Sequence, residues 1–404
     1  MFPSVNEQMD TIRRGVVDLL PEDELVKKLE RSYKENRPLI VKLGCDPSRP
    51  DLHLGHTVVL RKMRHFQELG HQAVLIVGDF TGMIGDPSGK SATRPALSLE
   101  ETRENGRSYF EQASKVLDSK RIKIVYNSDW LGEMSFEDVI RLASKYTVAR
   151  MLERDEFEKR YKAGEAISVH EFLYPLAQAM DSVAIQADVE LGGTDQKFNL
   201  LVGRDIQREY GQEPQVILTM PILAGTDGVQ KMSKSLDNYI GVSESAGDIY
   251  GKTLSIADHL MYEYFELATS VSQKELDEIH AQITQHPRDV KRRLARELVT
   301  LYHSREAAVA AEEEFDRIFI KKAVPETIEA FSPETDDASI WIVKLMTESG
   351  MAQSNGEGRR LVKQGAVSID GEKVSDPDME LALDRAFVLK VGKRRFMKIV
   401  PKAK

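Results

Sequence analysis

The chain has 404 residues, of which 41% are hydrophobic and 30% are charged, and this balance excludes a disordered or fibrous protein. Cys45 is the only cysteine, which excludes a disulfide within one chain, and no apolar run reaches the ~20 residues of a membrane-spanning helix. The first residues also lack the apolar core of a signal peptide. We expect a soluble, cytoplasmic protein with several globular domains and no membrane contact.

Residues 1–240 alternate apolar runs of strand length with amphipathic stretches. Strands that alternate with helices are typical of a mostly parallel α/β sheet. The predicted strands are Leu39–Cys45, Ala73–Val77 and Gln215–Met220. The predicted helices follow two apolar stripes, the first with Val59, Met63 and Phe66 and the second with Phe198, Val202 and Ile206.

Residues 241–322 are predicted to be all-helical. One apolar stripe there contains Val290, Leu294, Leu298 and Leu301. Residues 323–339 have the prolines and acidic residues of a linker. The sequence therefore predicts that a separate unit begins near residue 340.

Residues 340–404 are predicted to form a small α+β domain with a helix around Arg359–Lys363, a hairpin turn at Asp370-Gly371 and a second hairpin around Gly392. This segment has 13 Lys and Arg against 8 Asp and Glu, a net charge of +5, so the rest of the chain has −14. A like-charged run is usually only solvated surface. A compact basic domain on an acidic chain nevertheless favours binding to a polyanion.

The motif HLGH, His53 to His56, lies between the first predicted strand and the helix that follows it. The amino end of a helix attracts phosphate through its unpaired N–H groups and its dipole. Gly55 leaves room for a nucleotide against the backbone. Two histidines three residues apart are more often structural, but this position, after the strand and Asp46-Pro47, favours nucleotide binding.

The motif KMSKS, Lys231 to Ser235, lies in a polar stretch that contains glycine. Two ammonium groups on a flexible loop can close over a triphosphate and stabilise the charge of the departing pyrophosphate. An isolated pair of lysines would more often belong to a solvated loop, but this pentapeptide is far more specific. We expect HLGH and KMSKS to form two positively charged clusters that converge on one triphosphate.

A third stretch, Gly85 to Ser91, invites comparison with the phosphate-binding loop of P-loop NTPases. That motif needs four residues between its glycines, and this stretch has three. A turn after the preceding strand is the simpler interpretation. Lys90 and Arg94 remain candidate phosphate contacts.

HLGH resembles the first signature of class I aminoacyl-tRNA synthetases, and KMSKS matches their second. The residues between them, YPLAQAMDS from Tyr174 and GGTDQKFN from Gly192, resemble the tyrosine pocket and ribose site of bacterial tyrosyl-tRNA synthetases. The basic tail is similar to the S4-like RNA-binding domain of that family.

The resemblance implies a Rossmann-like catalytic domain over residues 1–240, with a parallel sheet and an inserted dimer-interface segment. It also implies an α-helical anticodon-recognition domain over 241–322 and an S4-like domain over 340–404. The implied activity is tyrosine–tRNA ligation by way of tyrosyl-adenylate. The implied partners are L-tyrosine, tRNA(Tyr) and ATP with Mg²⁺ as a substrate complex, together with a second copy of the chain. No tightly bound cofactor and no metal site in the protein are implied.

The resemblance also implies how tyrosine is bound. Asp86, Tyr174 and Gln178 are expected to hold its α-amino group, and Gln196 is expected near its carboxylate. Asp181 is expected to accept a hydrogen bond from the phenol, and a buried carboxylate would be left unpaired by phenylalanine. The spacing of residues 174, 178 and 181 puts these side chains on one helix face.

The remaining implied residues bind the nucleotide or act in catalysis. The residues expected to bind ATP or the adenylate are Gly44, Asp46, Gly55, Gly193, Asp195 and Lys234. The residues expected to stabilise charge during the reaction are His53, His56, Lys231, Lys234, Lys90 and Arg94. Asp195 is implied at the ribose, although Thr194 and Asp195 can equally form a simple helix start.

Two positions depart from the family pattern. Lys42 stands eleven residues before His53, where many members carry a tyrosine that helps to bind the phenol. Lys42 can donate to the phenol oxygen, pair with Asp181 or point elsewhere. The Lys-Phe of GGTDQKFN replaces a Trp-Gly, and both departures indicate a second bacterial subgroup.

Three alternatives stay open. A tryptophanyl-tRNA synthetase shares the fold, although the residues of the pocket fit tyrosine better. An RNA-binding or regulatory paralogue would keep the scaffold without the activation chemistry. A P-loop NTPase is the weakest alternative because its loop spacing is not met.

Overall fold

The computed structural model describes residues 2–46, 51–86, 99–320, 328–335, 337–392 and 395–401. The chain divides into two compact units, Met1–Ala308 and Val309–Lys404. Lys90, Arg94 and part of the predicted linker lie outside the described residues. No helix in the described ranges is both long and apolar enough to cross a membrane.

A six-stranded sheet is the centre of the first unit. Its strands are β1 (Asp18–Leu20), β2 (Ile40–Cys45), β3 (Gln72–Val77), β4 (Ile122–Tyr126), β5 (Val189–Gly193) and β6 (Val216–Met220). Their order is β1-β6-β5-β2-β3-β4, and every pair is parallel except β1 with β6. The three predicted strands are confirmed, each with its start shifted by one residue. They read as nearly continuous apolar runs because helices cover both faces of such a sheet.

The three predicted apolar stripes each lie within a helix, and sixteen α-helices are described over residues 5–315. They are α1 (Val5–Arg13), α2 (Glu22–Glu35), α3 (Leu54–Glu68), α4 (Thr81–Ile84), α5 (Leu99–Ala113), α6 (Ser128–Leu131), α7 (Phe136–Ala143), α8 (Val148–Met151), α9 (Asp155–Ala163), α10 (Val169–Ile185), α11 (Lys197–Glu209), α12 (Ala246–Ser255), α13 (Met261–Ala268), α14 (Gln273–Ile283), α15 (Pro287–Tyr302) and α16 (Arg305–Phe315). Short 3₁₀ turns span Thr194–Gln196, Lys234–Leu236 and Asp258–Leu260, and a π-helical turn spans Asp316–Ile320. In α15 the predicted stripe is buried except at Leu301, which is half-buried.

The strand order reverses direction between β2 and β5. From β2 the chain adds β3 and β4 on one side, and β5 and β6 lie on the other. In open parallel sheets, ligands bind outside the carboxyl ends of the strands at such a reversal. The carboxyl ends of β2 and β5 carry Cys45-Asp46 and Gly193-Thr194, so the reversal coincides with residues that are predicted to bind the nucleotide.

The second unit is a small α+β fold. Its elements are β7 (Ala330–Phe331), β8 (Ser339–Trp341), α17 (Ile342–Glu348), α18 (Asn355–Lys363), β9 (Val367–Ile369), β10 (Glu372–Lys373), β11 (Glu380–Ala382), β12 (Phe387–Val391) and β13 (Arg395–Ile399). The strands form a sheet in the order β10-β9-β12-β13-β7 and a separate pair β8-β11. The turn at Asp370-Gly371 is confirmed, with φ of 49° and 89°, because a tight hairpin favours positive φ at both central residues. The second hairpin, β12-β13 around Gly392, is confirmed too.

Candidate active site

Glycines and aspartates gather where the parallel strands end. Gly44 in β2 is exposed, and a Cβ atom added there would meet no atom of the described residues within 4 Å. Gly78, just after β3, is different, since a Cβ there would lie 1.9 Å from Oδ1 of Asp46. The surface above Gly44 therefore has room for a ligand. Gly78 has the opposite role, because only the lack of a side chain lets the Asp46 carboxylate approach the backbone.

The HLGH motif starts helix α3 as predicted. His53 is the residue before the first helical turn, and its backbone N–H donates to Nδ1 of His56 over 3.2 Å. The two rings lie against each other with their centroids 3.9 Å apart. Nδ1 of His53 is buried without a hydrogen-bond partner among the described residues. A buried polar atom without a partner is uncommon and is often found at functional sites.

Both imidazoles are neutral near pH 7. Burial, with help from His56 and Lys234, lowers the pKa of His53 to about 2. The His56 ring faces solvent, but the protein around it removes part of its hydration, and this loss together with the charge of Lys234 lowers its pKa to about 4. The expectation of two positively charged clusters is therefore wrong for HLGH. Its histidines offer N–H groups rather than charge.

The KMSKS loop lies beside HLGH. Gly241, just after the loop, forms a β-bridge with His53, and the N–H of Leu54 donates to the carbonyl of Ile240 over 3.0 Å. A Cβ atom on Gly55 would lie 3.6 Å from Cβ of Met232. The two motifs are far apart in sequence, and the structure brings them together at the amino end of α3.

The two lysines of the loop have different surroundings. Lys231 is exposed. The ammonium group of Lys234 forms an ion pair with Asp51 and lies 5.6 Å from the centre of the Tyr239 ring. The Asp51 side chain is 56% exposed, so a phosphate group can replace it at little cost.

Asn238, which the sequence analysis did not single out, anchors the loop. Its Oδ1 accepts from the backbone N–H of Ser233 over 2.8 Å, and its Nδ2 donates to Asp227 over 2.7 Å and to the carbonyl of Lys231 over 3.1 Å. A Cβ atom on Gly225 would lie 2.3 Å from this amide. Asn238 therefore holds the base of the loop while the lysine side chains extend from it. The Asp-Asn dipeptide after KMSKS is the signal that could have revealed it.

The predicted pocket residues share one face of α10, as their spacing predicts. Tyr174 donates its hydroxyl hydrogen to Oδ2 of Asp46 over 2.6 Å. The other oxygen of Asp46 accepts from the hydroxyl of Thr81 over 2.7 Å. Asp46 was expected to contact the nucleotide, and in this structure it also fixes the Tyr174 ring.

Asp181 lies buried at the inner end of this face, 3% exposed. Nε1 of Trp130 donates to Oδ1 over 3.0 Å, and Nδ2 of Asn127 donates to Oδ2 over 3.4 Å. Burial raises the pKa of Asp181 to about 7, while Lys42 and the two donors act in the opposite direction. Trp130 and Asn127 were missed because they lie far from the motifs in sequence.

Asp86 and Gln196 are in direct contact, with Nε2 of Gln196 donating to Oδ2 of Asp86 over 2.9 Å. Arg154, a buried residue that the sequence analysis missed, reaches Oδ1 of Asp86 over 3.3 Å and Oδ1 of Asn199 over 3.2 Å. Asn199 in turn donates to Oε1 of Gln178 over 3.0 Å. These contacts join the carboxylate, the amides and the guanidinium in one hydrogen-bonded network.

The other expected residues lie in β2 and at the end of β5. Lys42 is fully buried, and its ammonium pairs with Oε1 of Glu190 over 3.0 Å rather than with Asp181. Asp195 faces solvent beyond the end of β5, and a Cβ atom on Gly193 would lie 2.7 Å from its carboxylate. Burial by the surrounding protein raises the pKa of Asp195 above its ordinary value, and the positive charge of Lys231 acts in the opposite direction. Lys231 of the KMSKS motif is therefore near the edge of the sheet where β5 ends.

The assembled groups suit phosphate chemistry beside a polar pocket. The two imidazoles and the Lys234 ammonium lie together at the amino end of α3 and favour an anion there, while the charge of Lys231 acts on Asp195. The buried carboxylate of Asp181 lies at the inner end of the neighbouring polar face of α10. In the described ranges no group of three His, Cys, Asp or Glu side chains could hold a metal ion.

Comparisons with known proteins agree with this arrangement. The family model of class I tRNA synthetases (W and Y) matches residues 34–320. A model of the Tyrosine–tRNA ligase SYY-like C-terminal domain matches residues 319–399. Together the two models span most of the chain, including both signature motifs and the basic tail.

Two relatives are named tyrosine–tRNA ligase. The protein of Salinibacter ruber is 56% identical over 403 residues, covering 99% of this chain and 98% of its own. The protein of Chlorobium chlorochromatii is 57% identical over 399 residues, covering 98% of this chain and 99% of its own. At this identity and coverage the relationship extends over the whole chain.

Solved structures share the fold. Tyrosyl-tRNA synthetase from Archaeoglobus fulgidus, complexed with L-tyrosine, aligns with a TM-score of 0.62 at 23% identity and covers 76% of this chain and 99% of its own. The truncated mitochondrial tyrosyl-tRNA synthetase of Coccidioides posadasii gives a TM-score of 0.62 at 23% identity and covers 77% of this chain and 91% of its own. From its signature motifs, its fold and these relatives, the chain belongs to the tyrosine–tRNA ligases, a family of class I aminoacyl-tRNA synthetases.

Proposed function

We propose that the chain activates L-tyrosine with ATP to tyrosyl-adenylate and transfers the tyrosine to the 3′ end of tRNA(Tyr). The observation that carries this proposal is the convergence of HLGH and KMSKS, together with the polar face of α10 that carries Tyr174 and the buried carboxylate of Asp181. Phosphate-stabilising groups and a selective amino-acid pocket are the two parts that such a ligase needs.

In the activation step, a carboxylate oxygen of tyrosine attacks the α-phosphorus of ATP, the bond from that phosphorus to the bridging oxygen breaks, and pyrophosphate leaves with the electron pair. Lys231 and Lys234 supply positive charge to the departing phosphates. Neutral His53 and His56 donate hydrogen bonds, which stabilise charge only where it develops. Mg²⁺ accompanies ATP as part of the substrate. Lys90 and Arg94, outside the described residues, are proposed to assist.

The proposed amino-acid pocket binds tyrosine at both ends. Asp181 accepts a hydrogen bond from the phenol. Asp86 and Gln178 hold the ammonium group, with Gln196 near the carboxylate. The Tyr174 hydroxyl also has a suitable role, because its hydrogen is already donated to Asp46 and its oxygen can accept from the ammonium.

The proposed adenylate site lies over the carboxyl ends of β2 and β5. Gly44 and Gly55 let the nucleotide lie close to the backbone, and a Cβ atom on Gly44 would have no neighbour within 4 Å among the residues that the structure describes. Gly193 and Asp195 are proposed at the ribose, since an exposed carboxylate can accept from both ribose hydroxyls. Asp46 lies between the two substrates. In the second step, a terminal ribose oxygen of tRNA attacks the carbonyl carbon of the adenylate, and AMP leaves.

We propose that tRNA contacts the helical region 241–322 and the basic domain over 340–404, joined by the linker 323–339. We also propose a homodimer in the cytoplasm. Support for the dimer comes from apolar side chains that are exposed on or near α7, α8 and α10, namely Phe136 (81% exposed), Ile140 (55%), Val148 (61%) and Val169 (78%). Large exposed apolar side chains that are close in sequence favour an interface over free surface. Light scattering would show a mass near twice that of the chain.

The test is ATP–pyrophosphate exchange with each of the twenty amino acids, followed by charging of tRNA(Tyr). Tyrosine alone should support rapid exchange. Exchange that depends on tryptophan would instead identify a tryptophanyl-tRNA synthetase, the other enzyme that the family model includes. Tight RNA binding without any exchange would identify a paralogue that has lost activation.

A further inference from the structure

Lys42 and Glu190 form an ion pair inside the sheet, directly behind the proposed pocket. They are register partners on the neighbouring strands β2 and β5, and they are 0% and 1% exposed. Removing two charges from water is costly, and well-packed apolar residues in their place are often neutral or stabilising. The pair therefore has no evident advantage for stability, and its position suggests a role in the site.

Glu190 is the centre of a set of hydrogen bonds. Besides Lys42, it accepts from Nε2 of Gln178 over 3.0 Å, from Oγ of Ser182 over 3.3 Å and from Nε2 of Gln215. Lys42 also donates to the backbone carbonyl of Gln178 over 3.2 Å. The pair thus contacts both the main chain and the side chain of Gln178.

These contacts fix which way the Gln178 amide points. An ionised carboxylate only accepts hydrogen bonds, so Glu190 must face the NH₂ group of that amide. The amide oxygen then faces away from Glu190, where Nδ2 of Asn199 reaches it over 3.0 Å. In the proposed function Gln178 binds an ammonium group, which needs an oxygen and is repelled by an NH₂ group.

The lysine prevents Glu190 from adding negative charge near the phenol end. The charge of Glu190 acts to raise the pKa of Asp181, and the charge of Lys42 acts to lower it. Without Lys42, two carboxylates would be buried close together with no cation between them, and at least one of them would take up a proton. The cation therefore allows Glu190 to orient Gln178 without disabling Asp181.

We propose that Lys42 and Glu190 are a positioning pair for tyrosine recognition: Glu190 turns the amide oxygen of Gln178 toward the substrate ammonium, and Lys42 balances the charge of Glu190. The proposal rests on the proposed function. It makes Glu190, to which no role was given from the sequence, a determinant of tyrosine affinity that need not touch the substrate.

The experiment compares Glu190→Gln with the wild type in pyrophosphate exchange. A neutral amide at position 190 can face either end of the Gln178 amide, so only the donation from Nδ2 of Asn199 to the Gln178 oxygen still favours the native orientation. A charge-assisted hydrogen bond lost from such a network corresponds to a rise of about 10- to 100-fold in the KM for tyrosine. The KM for ATP should change less than about twofold, because the pair lies away from the phosphate groups.

Lys28→Met is the matched control. Lys28 is also buried, 1% exposed, and pairs with Asp188 over 3.2 Å, but Asp188 lies at the amino end of β5, opposite the site. This variant should lower the melting temperature and leave the KM for tyrosine unchanged. If Lys28→Met loses stability without a change in the KM for tyrosine, breaking a buried ion pair does not by itself weaken tyrosine binding.

The double variant Lys42→Met with Glu190→Gln decides the matter if the single variant does not fold. It removes both charges at once, which restores stability in comparable buried pairs. A folded double variant with a raised KM for tyrosine alone supports the proposal. A folded variant with the wild-type KM for tyrosine, or with equal rises for tyrosine and ATP, overturns it. If the wild type shows no tyrosine-dependent exchange, the proposed function fails instead.

Discussion

Tyrosine affinity should depend on pH through Asp181. Burial raises the pKa of this carboxyl group from 3.8 to about 7, and the groups that face it are Lys42 from β2, Glu190 from β5, Tyr174 from its own helix and the two donors Trp130 and Asn127. The ionised form is the better acceptor for a phenol. If only that form binds tyrosine well, each pH unit below the pKa weakens binding by roughly 1.4 kcal/mol, or about tenfold.

The assay is the KM for tyrosine in pyrophosphate exchange between about pH 5 and pH 8.5. The KM should fall by roughly tenfold per unit up to about pH 7 and then level off. Phenylalanine, used at high concentration, is a control substrate because it has no hydroxyl group, so its weak exchange should lack this slope. Asp181→Asn should remove the slope for tyrosine and raise the KM at high pH. A flat profile for tyrosine, or the same slope for phenylalanine, would refute the reasoning.

The same pKa affects folding. Because the folded-state value is raised, the protonated carboxyl is favoured in the native protein. Its contribution to the free energy of unfolding is fully present below about pH 3.8 and is lost as the pH rises through about 7. Binding and stability therefore respond to pH in opposite directions at this residue.

Three further outcomes are expected. Gly78→Ala should lower the free energy of unfolding by about 1–3 kcal/mol in urea titrations, because its Cβ atom would collide with Asp46. Gly44→Ala should keep the wild-type stability and raise the KM for ATP. Equal losses of stability in the two variants would contradict this. Lys234→Ala should slow adenylate formation by roughly 10²- to 10³-fold in single-turnover assays, with tyrosine affinity unchanged. The control is Lys252→Ala, which should have a far smaller effect. The ammonium groups of Lys234 and Lys252 lie 5.6 Å and 4.5 Å from the centre of the same Tyr239 ring. At saturating tyrosine, the rate between about pH 5.5 and 8 should show no step from the HLGH imidazoles, because their pKa values are about 2 and 4.

Much of the fold was predictable because its signals are local. Strands β2, β3 and β6 are nearly continuous apolar runs, and α15 carries a stripe of helical period, so the hydrophobic pattern alone identifies them. The hairpin at Asp370-Gly371 was predictable because its two residues tolerate positive φ. HLGH and KMSKS were recognisable as motifs, although their mutual distance depends on the path of the chain.

The rest depends on contacts between distant residues. In the sequence, Glu190 is a single polar residue among apolar ones, and only the register of β5 with β2 places it beside Lys42. Trp130, Asn127 and Arg154 contact the pocket from segments that carry no motif. The charge state of the histidines was also beyond the sequence, because it follows from burial and from the neighbouring Lys234.

A crystal structure with tyrosine and a non-hydrolysable ATP analogue tests the central claim most directly. The account predicts that the triphosphate lies between His56 and Lys234 at the amino end of α3, with Lys234 released from Asp51. It also predicts that the phenol oxygen lies about 2.6–2.8 Å from a carboxylate oxygen of Asp181. A triphosphate bound away from both motifs, or a tyrosine ring outside the pocket along α10, would contradict it.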